Sequence, residues 1–554
     1  MPLRTLAELE SRRLDFGPEA AAGRLAGLNQ LARARLRSAG AVRRLHELLC
    51  FVRAYPDSAA VQAQAARMLD GFARRADLRA HAAALADSGI AGTAIHYRFF
   101  AGQAQWLAAR WPARLKLDRG ADVDAQARIA AALPVLLTHA EAVALRERPR
   151  AGYVALDALR GRGETDAVAL LRRIAAMPGD GFTREAFSDA IDAPFVLEPA
   201  PGVPSRSTAH WPAASVALRR EPPPRTRPDL RAELQRAPRR VRRLARQDGA
   251  AIVELARGAM VTRARSLEAF AYADAGDAWL VDDGDGLAYA FAGVIPERRH
   301  AVFSYYGALT LRNGVPIGYT QADVLGTSAA LSFNTFESFR GAEAAFTFAR
   351  WLAALRALFG CKSFTIEPYQ LGDHNDEAID SGAWWFYAKL GFAPRDAATR
   401  ALMRQERQRM QRRAAHRSSV TTLRRLAKQH LFFDLDAPRP LVTPAMVGNA
   451  IGAALSARAG SERERAVDAC SAELQRLCGL TSLSGWSPSQ REAWRRIAPL
   501  VSPLELRAWR DDERHALVDV IRAKGGRSER DFVTRYGAHP RLDATLLRRM
   551  ERHA

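Results

Sequence analysis

The chain has 554 residues, 48% of them hydrophobic and 26% charged, and carries a formal net charge of +22. That length asks for several domains around sizeable cores, and no apolar run approaches the roughly 18 residues of a membrane span. Four cysteines, Cys50, Cys361, Cys470 and Cys478, are too few for a disulfide framework and fit no zinc spacing, so free buried thiols and no metal are expected.

The opening "MPLRTLAELESRRLDFG" is charged throughout and lacks the apolar stretch of a secretory leader, so a cytoplasmic protein is expected. Residues 1–195 read as an α-helical domain. Apolar residues recur at helical spacing in "AALPVLLTHAEAVALRER" (Ala131–Arg148) and in "DAVALLRRIAAM" (Asp166–Met177), which Pro178 and Gly179 close. Gly161 and Gly163 follow no strand, so they mark a helix–helix turn rather than a phosphate loop.

Residues 196–249 form a linker and basic segment. Pro222, Pro223 and Pro224 forbid helix. "RAPRRVRRLARQDG" (Arg236–Gly249) carries enough charge to grip a nucleic-acid backbone, but it has no interleaved aromatics to stack bases. A solvated basic helix is the expectation.

From Ala250 the pattern changes to short Val, Ile, Tyr and Phe runs. Asn313-Gly314 lies between two of them, the signature of a type I′ hairpin turn, and Pro316 predicts an edge or a bulge just after it. "AALSFNTFES" (Ala329–Ser338) reads as a strand. "GAEAAFTFARWLAALRALFG" reads as a helix stopped by Gly360. "CKSFTIEPYQLG" is a strand ended by Pro368, and "NDEAIDSGAWWFYAKLGF" a helix running into a last strand. The order hairpin, strand, helix, strand, helix, strand makes residues 250–400 a mixed α/β unit. Residues 401–554 return to helix. Arg400–Arg417 is expected as an exposed connecting helix, and helix starts are expected at Thr443-Pro444, Ser487–Gln490 and Ser502–Glu505.

Over about Ala250–Pro394, and most strongly over Ala329–Phe392, the sequence resembles the GNAT superfamily of N-acyltransferases. The first match is "SFNTFESFRGAEAAFTFARWL", in which a strand and turn open a helix. The resemblance implies that Phe339, Arg340, Gly341, Ala342, Ala344 and Ala345 receive the pyrophosphate of an acyl-CoA on turn amides and a helix N-terminus, a geometry suited to phosphate. Glu343 stands at the pattern's middle glycine, where a carboxylate is expected to repel the pyrophosphate. The second match is "FYAKLGF" (Phe386–Phe392). It implies that Tyr387 protonates the leaving thiolate, a role for a weak acid within reach of the sulfur. "HNDEA" resembles a further family feature and adds Asn375 to the donor site. Glu337 and Glu367, at strand ends, are the candidate bases, with His374 as a third. Trp384, Trp385 and Phe386 line a pocket or, for most of them, pack in a core.

The fold class expected is multidomain, α and α/β, with a central GNAT-like mixed sheet flanked by N-terminal and C-terminal helical regions. The expected activity is transfer of an acyl group, acetyl first, from acyl-CoA (acetyl-CoA) to an amine, with no metal and no membrane partner. The alternative is a catalytically inactive GNAT-fold binding or scaffold protein. The positive charge adds tRNA or another nucleic acid as a partner to test.

Overall fold

Alternation of side chains along consecutive strands sorts the central sheet between two cores. In the computed structural model, which describes residues 2–212, 215–222, 226–341 and 343–552, three short strands come first in the chain. They are β1 (Ile95–Tyr97), β2 (Leu115–Leu117) and β3 (Phe195–Leu197), paired antiparallel in the order β1-β3-β2. The large sheet follows. Its strands are β4 (Arg240–Arg243), β5 (Ala273–Gly284), β6 (Leu287–Val294), β7 (Ser304–Arg312), β8 (Val315–Leu325), β9 (Ser328–Thr335), β10 (Ser363–Ile366), β11 (Ala393–Pro394) and β12 (Leu431–Asp434). Their order is β11-β12-β10-β9-β8-β7-β6-β5-β4. Every pair is antiparallel except β9 and β10, which run parallel from Ser328↔Ser363 to Leu331↔Ile366.

Tyr289, Phe291, Tyr306 and Ala308 face a core built with the helix Ala344–Phe359 and the C-terminal helices. Their neighbours Ala290, Leu309 and Leu311 face a second core shared with the N-terminal helices and the helix Arg246–Val261. The sheet is therefore covered by helices on both sides, a mixed α/β architecture. Residues 95–197, with Val261, hold a core of their own.

Local chemistry places many elements where the sequence predicts them. Asn313 and Gly314 take φ of 48° and 77°, and the register slips between Thr310 and Leu311 opposite Pro316, the expected bulge. Gly360 ends its helix with φ 74°. Helices start at Asp166, at Pro444 after the Thr443 cap, and at Pro488 inside the Ser487–Gln490 capping box. All four cysteines are free and buried.

Other expectations give way. The 1–195 region is not purely helical, because β1, β2 and β3 pair within it. Ala131–Arg148 is broken: Pro134 sits in a 3-10 turn (Leu133–Val135), and Thr138 with Glu141 makes a capping box that starts a new helix, His139–Glu147. The basic run 236–249 is no solvated helix. Arg240–Arg243 pairs with β5 as the edge strand of the sheet, a place where repeated arginines discourage further pairing, and the helix begins at Arg246. The sheet thus extends beyond 250–400 at both ends, to β4 and β12. The segment 375–392 holds two helices, Asp376–Ser381 and Ala383–Lys389, divided by Gly382 at φ 69°. Ser502 starts nothing; it closes the helix Pro488–Val501. The connecting helix runs Ala397–Arg412. Pro223 and Pro224 lie outside the described residues.

Candidate functional site

Pro368 sets the site. With no N–H and a fixed φ, it leaves the sheet at the end of β10 and begins the short helix Pro368–Leu371. β9 continues to Thr335, so its last residues lose their neighbour on that side while still pairing with β8. The resulting notch opens into a cavity of about 490 Å³, lined among others by Phe333, Asn334, Thr335, Arg340, Ala344, Tyr369, Asn375 and Tyr387. Tyr319 and Asn334 come from one face of the sheet and Phe333 from the other, so the cavity passes through its plane at the notch.

Tyr387 reaches this cavity from the helix Ala383–Lys389. Its ring is packed by Phe348, Phe386 and Phe392, with centroids at 5.4, 5.1 and 6.0 Å. Burial pushes its phenol well above the ordinary tyrosine range, so it stays protonated at neutral pH. Among the described residues no hydrogen-bond partner is found for its hydroxyl. The neighbouring tryptophans are core: Trp384 donates to the Leu426 carbonyl at 3.2 Å and Trp385 to Ser418 at 3.0 Å. Phe386 stacks on Phe333 at 6.1 Å.

The predicted donor turn is partly brought to the same cavity. Arg340 donates from Nε to the Thr335 carbonyl (3.2 Å) and pairs with Glu377 (3.0 Å). Gly341 is exposed with φ 81°, a backbone that favours glycine. No side chain caps the helix that begins at Ala344, so its first amides have no side-chain acceptor. Ala344 lines the cavity, while Ala345 packs partly buried against the core. Ala342 lies outside the described residues. Phe339 corrects the expectation: it is buried in the opposite core, stacked 6.5 Å from Phe51. Asn375 lines the cavity, but its amide is spent locally. It caps Ala378 at 3.2 Å and donates to the Tyr369 carbonyl at 3.1 Å.

Glu343 does not line the Tyr387 cavity. Its carboxylate is buried between Arg312 and Arg219, the latter at 2.9 Å. Two guanidiniums neutralise the charge that would repel an anion, and they tie the helix start to β7 and to the linker. The carboxylate at the helix start is therefore already engaged by two cations.

The candidate bases separate. Glu337 does not end β9; it sits in the 3-10 turn Glu337–Phe339, its side chain 80% exposed, paired with Arg43 at 3.4 Å and outside the Tyr387 cavity. His374 is also exposed, at φ 54°. Glu367 follows β10 and is half-buried, with burial raising its carboxyl. The strand register puts it on the face that carries Asp323 on β8, and that partner was missed in the sequence. Burial lifts the Asp323 carboxyl to about 7, with Glu367 and Glu268 adding to the rise; Gln321 donates to it at 2.9 Å against that trend. The signal for Asp323 was present: Tyr319, Gln321 and Asp323 form a polar period-two face on an otherwise buried strand.

Among the described residues no group of three or more His, Cys, Asp or Glu side chains is placed to hold a metal ion, and no helix is long and apolar enough to cross a membrane. Comparisons with family models, with curated proteins and with solved structures find no match for this chain. The functional reading therefore stands on the geometry of the site.

Proposed function

We propose that the chain is a GNAT-type N-acyltransferase in which an acyl thioester lies in the notch between β9 and β10 and an amine attacks it. The observation that carries this reading is Tyr387: a protonated phenol with no hydrogen-bond partner found among the described residues, lining a cavity whose other walls include a freed strand edge and the uncapped start of the helix Ala344–Phe359. The parallel pair of β9 and β10, bridged by that helix, agrees with the same resemblance.

In this reading the amine nitrogen forms a bond to the acyl carbon. The developing oxyanion is met by backbone N–H groups of the unpaired β9 end. The carbon–sulfur bond then breaks, and the Tyr387 hydroxyl gives its proton to the departing thiolate. Neither Glu367 nor Asp323 lines the cavity, so the proton lost by the amine leaves through water to the Glu367 carboxylate on the other face of the sheet. Burial raises the Glu367 carboxyl, which makes its carboxylate a stronger base than an exposed one. Acetyl-CoA is the first donor to try. A carboxylate at Glu343 would favour an inactive scaffold by repelling the donor, and its pairing with Arg219 and Arg312 supports the enzyme reading instead.

The test is thiol release from acetyl-CoA in the presence of a panel of amines. Amine-dependent release that falls at least tenfold in Tyr387→Phe is expected. Absence of any melting shift with saturating CoA or acetyl-CoA would sink the reading.

A further inference from the structure

A second cavity, of about 350 Å³, adjoins the first and shares Arg265, Asn334, Arg340 and Glu377 with it. Its distinctive feature is five arginines drawn from distant parts of the chain. Arg43 comes from the helix Ala39–Ala54, Arg206 from the segment after β3, Arg263 and Arg265 from the end of the helix Arg246–Val261, and Arg340 from the turn after β9. Four of them have carboxylate partners. Arg43 pairs with Glu337 at 3.4 Å, Arg206 with Glu47, and Arg265 and Arg340 with Glu377 at 2.8 and 3.0 Å.

Arg263 has no carboxylate partner within ion-pair distance among the described residues. Its guanidinium lies 3.6 Å over the Phe336 ring and donates only to the Ala259 carbonyl (2.9 Å) and Thr262 Oγ1 (3.3 Å). Its Nε is buried without a partner, and so is the Nε of Arg206, whose side chain is 9% exposed. Burial, reinforced by the charge of Arg206, pulls the Arg263 pKa well below the ordinary guanidinium value. A desolvated cation with no carboxylate in ion-pair contact is costly, and an arriving anion relieves that cost. Ala264 takes a left-handed φ of 49° between Arg263 and Arg265, a strained backbone at the point where both arginines line the cavity.

We propose that this arginine-lined cavity binds a phosphate monoester. More than one guanidinium with unused donors suits the several oxygens and double charge of phosphate better than a lone carboxylate, and planar guanidiniums meet phosphate in a bidentate fashion. The volume exceeds that of a bare ion, and Ala84, Leu85 and Ala86 supply an apolar wall for a small organic body. The N-terminal helical region, which contributes Arg43 and that wall, thereby becomes part of a binding site. This inference goes beyond the acyl-transfer reading and does not depend on it.

The phosphate has two sources: a phosphorylated small molecule, or a phosphate of the donor coenzyme. Isothermal titration of the full chain with ribose 5-phosphate, inorganic phosphate and plain ribose tests the site. Binding of the phosphate compounds but not of ribose is expected, weakening as salt is raised. Arg263→Gln is expected to weaken it at least tenfold and Arg43→Glu, an exposed position that spares the fold, several-fold; Tyr387→Phe leaves it unchanged. Pre-saturation with CoA separates the sources: loss of ribose 5-phosphate binding assigns the cavity to the coenzyme, and retention assigns it to a separate phosphorylated molecule. No binding of either phosphate compound at millimolar concentration, or equal binding by wild type and both arginine variants, overturns the proposal. Thiol release is not read in this experiment, so the two proposals fail separately.

Discussion

The Tyr387 ring and the Tyr387 hydroxyl answer to different demands. The ring is packed by Phe348, Phe386 and Phe392, so it belongs to the core, while no described residue hydrogen-bonds the hydroxyl. Tyr387→Phe therefore keeps the packing and loses no internal hydrogen bond. Its melting temperature is expected to stay within a few degrees of wild type, while acyl transfer falls by about 10²–10⁴, the usual worth of a general acid; calorimetry and thiol release measure the two. A large loss of stability would make the residue structural. Asp323 carries the opposite burden, a charge in a poor place. Its carboxyl titrates near 3.8 when unfolded and near 7 when folded. Between those values the folded chain holds a proton that the unfolded chain has released, so stability falls as pH rises through that window. Urea unfolding at pH 5 and pH 8 should show that slope, and Asp323→Asn should flatten it. A rate that depends on the carboxylate rises as pH passes 7.

At the scale of elements, what the sequence declares is what neighbouring residues decide among themselves. The Asn313-Gly314 turn, the Gly360 stop and the Ser487–Gln490 capping box are each closed by contacts within a few residues, and each was legible. The strand fate of Arg240–Arg243 depends on β5, some forty residues on, and nothing local announces it. Glu343 is a similar case. Beside a helix start it reads as a threat to an anion, until Arg219 and Arg312, far away in sequence, turn it aside. Within the candidate site Tyr387, Arg340 and Ala344 were legible from their motifs. Phe339 was misplaced because burial against Phe51 is a tertiary fact. Asp323 is legible only as one member of the polar face with Tyr319 and Gln321, and its placement opposite Glu367 is a tertiary fact. The hairpin gives the prediction of this scale. At Gly314 a Cβ would meet the Trp211 carbonyl oxygen at 2.0 Å, on a backbone at φ 77°. Gly314→Ala is thus expected to cost more than the roughly 1–2 kcal/mol of left-handed strain alone, read as a lowered urea midpoint. A neutral result would mean that the linker carrying Trp211 yields without cost.

For the whole molecule, the division of cores says which parts unfold together. The N-terminal helices before residue 90 share the sheet's core through Phe51, Leu309 and Phe339, and the C-terminal helices share the other through Trp494 and Tyr306. Removing either helical region would bare a face of the sheet. Residues 95–197 differ, since their core closes on itself and reaches the rest of the molecule apolarly through Val261. Polar contacts hold this lobe in place. Glu185 accepts from the Tyr272 hydroxyl at 2.6 Å and pairs with Arg298, while Trp106 donates to Glu254 at 2.6 Å. Contacts of this kind resemble a domain interface more than a shared core, and such units open below the global unfolding free energy. Glu185→Ala leaves the Tyr272 hydroxyl and the Arg298 guanidinium without their acceptor. Native-state hydrogen exchange should then show reduced protection across the helix Asp166–Ala176, with β6, β7 and β8 protected as before and thiol release unchanged. Equal loss of protection in the sheet would show that the lobe and the sheet fold as one unit, and that Glu185 supports the candidate site from a distance.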